Sequence, residues 1–259
     1  MNLPDRLSLR ERVIVLTGAT GRYGRGLAAD LAAAGAHLII TSRDADRSRA
    51  IADAETQLGH RVAAESFDQS SEPSIQALCD RILKRHGRID GLVNNAVAHP
   101  MATPESPVAD WNASLQINAT GLMLMHRIFR APLHDSRVGS IVNVGSIFGT
   151  NGPLLSRYED THHPVPTPDY FFHKGGLLNL TRYYAALFGP DGIRVNCVSP
   201  GGFQQSQSAE YVRSYSAHTC LRRMANDTDL GGAVAFLLSD AAAYITGADL
   251  PVDGGYSAV

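Results

Sequence analysis

The chain has little of what marks several other classes of protein. Its 259 residues hold only three cysteines, Cys79, Cys197 and Cys220. An odd, scattered set cannot be fully paired into a disulfide framework and has no metal-ligand spacing, so a reducing compartment is expected. An excess of one charge is also missing: 23 Lys and Arg face 25 Asp and Glu, a formal net charge of -2 at pH 7. With no basic run, nucleic acid is not an expected partner. No apolar run approaches the roughly 20 residues that cross a bilayer, and residues 1–6 carry no apolar signal core, so neither a membrane span nor a leader is expected. Internal repeats, low-complexity tracts and linkers are absent too. What these absences leave is a soluble, cytoplasmic protein, one domain over residues 1–259, long enough to bury a substantial core.

What is present is alternation. The apolar run 13–16 reads as a buried strand, and the helical pattern 27–34 follows it. Between them lies Thr17-Gly-Ala-Thr-Gly-Arg-Tyr-Gly24. A strand, a glycine turn and a helix N-terminus make an anion site, because glycines let the backbone approach a pyrophosphate and the helix end offers free N–H groups. Gly18, Thr20, Gly21, Arg22, Tyr23 and Gly24 are therefore expected to cradle a dinucleotide, although the G-x-x-G-x-x-G spacing differs from the usual fingerprint. The second strand, within 35–41, runs into Ser42, Arg43 and Asp44. An acidic group at this place bonds a ribose 2′-hydroxyl, whereas an arginine accommodates a 2′-phosphate. Ser42 followed by Arg43 favours NADP(H) over NAD(H), since a guanidinium grips phosphate with a fork of donors. A shift of register would instead bring Asp44 to the ribose.

Helix 45–58, strand 61–67, helix 72–86 closed by Gly87, and strand 89–93 continue the pattern. Such alternation implies a parallel sheet with helices on both faces. Asp68, with Gln69 beside it, ends the third strand, where a polar group meets an adenine edge or caps a turn. The fourth strand leads into Asn94, Asn95 and Ala96. Residues 99–107 carry three prolines and form a loop. A long helix over 111–129 then holds Asn118 inside an apolar run, an unfavourable place for Asn that asks for a reason. The fifth strand, 140–145, delivers Ser146 at the carboxyl end, where α/β sheets bind ligands. Tyr170 and Lys174, four apart, share one helix face. An ammonium beside a phenol favours the phenolate and lets it exchange a proton with an alcohol or carbonyl oxygen near neutral pH.

Taken together, Thr17 to Gly24, Asn94-Asn-Ala96, Asn118, Ser146, Tyr170 with Lys174, Pro200-Gly201 and the closing stretch 244–255 resemble the short-chain dehydrogenase/reductase family over nearly the whole chain. The resemblance implies an α/β, single-domain Rossmann fold with a seven-stranded parallel sheet, assembled as a homotetramer or homodimer. It implies an NAD(P)-dependent oxidoreductase that interconverts a carbonyl and a secondary alcohol on a small, polar molecule such as a sugar or polyol. Tyr170 would be the acid and base, Lys174 would assist it and bond the nicotinamide ribose, and Ser146 would hold the substrate oxygen. Asn118 would hold the main chain and a water that links Lys174 to solvent. Asn95 and Ala96 would lie along the cofactor, Asp68 would meet the adenine, and Pro200 and Gly201 would pass the nicotinamide.

Several residues depart from the family pattern. Arg22 and Val97 stand where glycines are common, Gln204 to Ser206 replace a common threonine, and His173 has no evident role. Ser146 and Tyr170 are also unusually far apart in sequence. The extra tract, 150–169, holds Arg157, Tyr158, Glu159, His162 and His163 and is expected to loop beside the site and shape its pocket. Its paired histidines lack a third ligand, so no metal is expected. Residues 203–220, with Tyr211 and Tyr215, match the family's lid. Two rival readings share these residues: a cofactor-sensing binding protein without catalysis, and a sugar-nucleotide dehydratase or epimerase hinted at by the glycine turn. The intact set Asn118, Ser146, Tyr170 and Lys174 weighs against the first, and the short chain against the second.

Overall fold

The computed structural model describes residues 2–136, 138–159 and 163–259, with the Glu159 side chain excepted. The apolar runs become seven strands: β1 (Val13–Thr17), β2 (His37–Ser42), β3 (Val62–Ser66), β4 (Gly91–Asn94), β5 (Ser140–Val144), β6 (Arg194–Pro200) and β7 (Asp249–Val252). They form one sheet in the order β3-β2-β1-β4-β5-β6-β7, every pair parallel. All positions of β1 and β5 are buried, as expected of central strands covered on both faces. Along β1 the side chains alternate. Ile14 and Leu16 join one core with Leu27, Leu31 and Val234, while Val13 and Val15 join a second with Ile75, Leu78, Phe129 and Phe188.

The helices that supply those cores are α1 (Leu3–Leu7), α2 (Gly24–Ala33), α3 (Ala45–Gln57), α4 (Glu72–His86), α5 (Val108–Leu115), α6 (Leu122–Asp135), α7 (Ser156–Glu159), α8 (Pro168–Phe188), α9 (Ala209–Ala217) and α10 (Gly231–Leu238). Their ends follow local chemistry. Asp44 accepts from the Arg47 N–H to cap α3, Ser71 accepts from Ser74 to cap α4, and Gly87 closes α4 at a φ of 73°. None of the described helices is long and apolar enough to cross a membrane.

The helix expected over 111–129 runs further in both directions and is not uniform. Between α5 and α6 it passes through a π-helical segment, Gln116–Gly121, that contains Asn118. A π turn holds an extra residue and frees a carbonyl from the regular ladder. Here the Gln69 side chain donates to the Ile117 carbonyl at 3.1 Å. The Gln69 backbone also presses on the same segment: a Cβ on Gly121 would lie 2.2 Å from the Gln69 carbonyl oxygen. Gly121→Ala is expected to destabilise the protein by about 1–3 kcal/mol, the usual cost of overpacking. Denaturant unfolding checks this as a lower midpoint; an unchanged midpoint would show that the contact yields freely.

Candidate active site

Sheet order reverses between β1 and β4, and the carboxyl ends of these two strands part to leave a crevice. The glycine turn fills its floor. Gly18 has a φ of +68°, and a Cβ there would lie 2.7 Å from the Ala96 Cα. On Gly24 a Cβ would sit 2.2 Å from the Gly18 oxygen. Thr17 and Asn95 knot the turn to β4. The Thr17 hydroxyl accepts from the N–H groups of Asn95 and Ala96, both at 3.0 Å, and the Asn95 amide donates to the Thr17 and Gly18 carbonyls at 3.0 and 2.9 Å. No side chain caps the N-terminus of α2, which leaves its positive end open to an anion. The two glycines let the turn pack on Ala96 and on itself, and the uncapped helix end it leads into fits the pyrophosphate of a dinucleotide. Asn95 reaches the cradle as its brace rather than as a free donor.

At the end of β2, Ser42 and Asp44 are spent on α3. The Ser42 hydroxyl bonds the Asp44 carbonyl at 2.8 Å and the Ser48 hydroxyl at 2.7 Å, and the Asp44 carboxylate is the α3 cap. Arg43 is exposed and forms no salt bridge among the described residues. The Asp68 carboxylate accepts from the Ser70 N–H and hydroxyl, and these bonds, with a smaller contribution from Arg43, hold it below its ordinary range. It acts as a turn cap within electrostatic reach of Arg43. Gln69 is turned inward to the π segment, as described above.

On α8, the Lys174 ammonium lies 5.6 Å from the centre of the Tyr170 ring and donates to the Val144 carbonyl, the last residue of β5, at 2.6 Å. Two positions on, Ser146 is buried, and its oxygen accepts from the Phe148 N–H at 3.1 Å. The Phe148 ring stands edge-on to Tyr170 at 6.3 Å. Among the described residues, Asn118 has no hydrogen bond to Tyr170 or Lys174. Its amide clasps Ala98, accepting from the N–H and donating to the carbonyl, both at 2.9 Å. A cavity of about 20 Å³ is lined by Asn118, His173, Lys174, Val144 and Gln69. That volume suits one water. A larger depression of about 440 Å³ lies behind Gly201 against Tyr215, Met224 and Asp253, and none of the four catalytic candidates lines it.

His99 was not singled out in the sequence, yet its ring lies 5.3 Å from that of Tyr170. Burial, then the charges of Arg22 and Lys174, depress the His99 imidazole. Burial and Arg22 depress His163 in the same way. Arg22 therefore acts on the cleft beside Tyr170. The only sequence signal for His99 was its place in the proline loop just after the Asn-Asn-Ala turn.

The wall above the cleft is braced from three sides. Tyr23 donates to the Gly201 carbonyl at 2.8 Å, beyond Pro200 at the end of β6. From α9, the Tyr215 hydroxyl accepts from the Gly202 N–H at 2.5 Å. Arg157, in α7 of the inserted tract, is 2% exposed. Its guanidinium packs on Tyr215 and Tyr256 at 4.8 and 5.1 Å and donates to the Tyr256 hydroxyl. His163 packs on Tyr211 at 4.1 Å. The described part of the insertion is thus folded against the lid segment of its own chain. His162 lies outside the described residues. Among the described residues, no group of His, Cys, Asp and Glu could hold a metal ion.

Compared with known proteins, the family profile described as "Enoyl-(Acyl carrier protein) reductase" matches residues 18–257. The chain is similar to the cis-4-hydroxycyclohexanecarboxylate dehydrogenase of Sinomonas cyclohexanicum, 37% identical over 258 residues, 96% of this chain and 98% of that one. It is also similar to the meso-2,3-butanediol dehydrogenase of Serratia marcescens, 30% identical over 95% of each chain. Among solved structures, a gluconate 5-dehydrogenase from Burkholderia cenocepacia J2315, in complex with NADP and tartrate, matches with a TM-score of 0.89 and 26% identity, covering 100% of both chains.

The brace from the insertion predicts a local effect. Arg157→Ala removes the guanidinium packed on Tyr215 and Tyr256, so amide hydrogen exchange across residues 209–217 should accelerate while that of β1, β4 and β5 stays slow. Unchanged exchange in α9 would mean that Arg157 does not hold the lid segment.

Proposed function

The chain belongs to the short-chain dehydrogenase/reductase family, and on that premise we propose how its residues divide the work. The activity is that of an NAD(P)-dependent oxidoreductase acting on CH–OH groups, interconverting a secondary alcohol and a carbonyl. The bound nicotinamide supplies or accepts the hydride, and the protein supplies position and a proton. Tyr170 protonates the carbonyl oxygen in reduction and takes the alcohol proton in oxidation. Lys174 stabilises negative charge that develops on the phenol oxygen. The Ser146 hydroxyl, whose oxygen is already fixed by Phe148, donates its proton to the substrate oxygen. Asn118 keeps the loop at Ala98 and the π segment in place around the water-sized cavity. The observation that carries this reading is the Tyr170–Lys174 pair, seated by the bond to Val144 beside Ser146.

Gly18, Thr20, Gly21, Arg22, Tyr23 and Gly24 would hold the pyrophosphate, with Asn95, Ala96, Pro200 and Gly201 along the nicotinamide half. NADP(H) is the preferred cofactor in this reading, because Asp44 is committed to α3 while Arg43 stands exposed with no salt bridge among the described residues. The substrate is a polar secondary alcohol that carries a carboxylate. Arg22, His99 and His163 gather at the mouth of the cleft, and the hydroxycyclohexanecarboxylate and gluconate dehydrogenases named above are consistent with that choice. Assembly as a homotetramer or homodimer is supported by Phe172, Tyr183 and Leu187, which leave apolar surface exposed on α8.

Tyr170→Phe should lower turnover by about 100-fold or more while leaving NADPH affinity intact. Steady-state rates together with a fluorescence titration separate the two, and retained turnover would remove Tyr170 from the chemistry. Arg43→Ala should weaken NADPH binding by about 10- to 100-fold and leave NADH binding unchanged. An equal loss for both cofactors would mean that Arg43 does not read the 2′-phosphate.

A further inference from the structure

Two tyrosines from separate segments meet on a single peptide group, the one between Gly201 and Gly202. Tyr23, in the glycine turn, donates its hydroxyl proton to the Gly201 carbonyl at 2.8 Å. The Gly202 N–H donates to the Tyr215 hydroxyl, in α9, at 2.5 Å. The peptide is trans, so its C=O and N–H leave opposite edges of one plane. Burial, the largest influence on both phenols, raises them above their ordinary value. Tyr23 therefore keeps the proton that it donates.

The surroundings isolate this plane. On one side the Gly201 N–H is held by the Val252 carbonyl at 3.1 Å; on the other the Gly202 carbonyl is held by the Ala225 N–H at 2.9 Å. Between these fixed points stand two glycines, whose missing side chains leave the plane free to turn. A Cβ on Gly202 would lie 2.8 Å from the Tyr215 ring, so the ring's seat against the peptide needs a glycine there. Turning the plane breaks both tyrosine bonds together. The two hydroxyls are thus linked, because each holds one edge of the plane and so presents the other edge to its partner.

Each tyrosine also belongs to a larger unit. Among the described residues, the backbone N–H groups of Arg22 and Tyr23 donate to no other group, and Tyr23 immediately precedes α2. Its N–H is available to a phosphate while its side chain holds Gly201. The edge of Phe203 packs on its ring at 4.9 Å. At the other end, the buried Tyr215 ring is stacked on Tyr256 and carries Arg157 of the insertion.

We propose that the Gly201–Gly202 peptide couples the cofactor cradle to the lid segment, with Tyr23 as the positioning residue on the cofactor side and Tyr215 as its counterpart on α9. The inference rests on the reading of the glycine turn as the cofactor cradle. A pyrophosphate bonded to the Tyr23 N–H restrains that residue further. The Tyr23 hydroxyl then restrains the peptide, and the peptide restrains Tyr215 with the insertion packed on it. The lid is firm when the cofactor is in place, so the substrate meets a formed pocket only after the cofactor. Coupling of this kind is reciprocal, and freeing the Tyr215 end weakens the cofactor at the Tyr23 end. It acts by restricting motion, which hydrogen exchange reads directly.

The test is a double-mutant cycle on NADPH affinity, with NADH run in parallel, using Tyr23→Phe, Tyr215→Phe and the two combined. Each phenylalanine keeps the ring and removes one hydroxyl. Each single variant should weaken NADPH about three- to tenfold, the worth of one hydrogen bond, and the pair no more than Tyr23→Phe alone. Saturating NADPH should slow amide exchange across residues 209–217 in the native protein and leave it unaltered in Tyr23→Phe. A merely structural role lowers the unfolding midpoint without linking the two losses. Losses that multiply in the combined variant, or a Tyr215→Phe protein that binds NADPH as the native one does, overturn the inference. So does an α9 that NADPH slows equally in the native protein and Tyr23→Phe, or in neither. The two levels separate: if the native protein binds cofactor and the cycle is additive, only the coupling falls. If it binds neither NADPH nor NADH, the cradle reading falls and the coupling with it.

Discussion

A buried ammonium bonded to one carbonyl sets the geometry of the site. Lys174 is 7% exposed, and a charge so enclosed must be paired with a strong acceptor. It finds one in Val144, at 2.6 Å, where β5 gives out. That bond fastens α8 to the carboxyl edge of the sheet. It thereby holds Tyr170, one helical turn away, at the edge from which Ser146 emerges two residues after the strand. The tract 147–167 can loop out between Ser146 and α8 because the strand and the helix are already joined beneath it.

Around this anchor, polar side chains serve mainly to hold the backbone still. Thr17 and Asn95 knot the glycine turn to β4, Asn118 clasps Ala98, and Tyr23 reaches over to Gly201. Each bond is short in space and long in sequence. The result is a cradle whose shape is set before anything binds, which lowers the cost of ordering it on binding. The insertion is drawn into the same scheme, since Arg157 packs against stacked rings from α9 and from the C-terminal turn.

Much of this was legible in the sequence. Continuous apolar runs marked the strands because a parallel sheet is buried on both faces. The helix Glu72–His86 could be bounded to the residue, since its Ser71 cap and closing Gly87 are local signals. Tyr170 and Lys174 could be paired from helical spacing alone. What escaped the sequence depends on contacts between distant segments. Ser42 and Gln69 were read as groups for the cofactor and Asp44 as the alternative after a shift of register; that their side chains also bond α3 and the π segment of their own chain was not foreseen. The π turn could not be foreseen, because the Gln69 backbone and side chain that pack on it are distant in sequence. His99 and the linkage of His173 to Ser114 and Asp169 were hidden for the same reason: only the folded chain brings α5, α8 and the proline loop together.

We propose that this scaffold oxidises and reduces a hydroxyl-bearing carboxylate with NADP(H). The most direct measurement is the rate of NADPH formation with cyclic and linear hydroxycarboxylates, each set against its own methyl ester. Turnover of the acids, falling sharply when the carboxylate is esterified, is the predicted result. Equal rates for acid and ester, or turnover only with NAD, would contradict it.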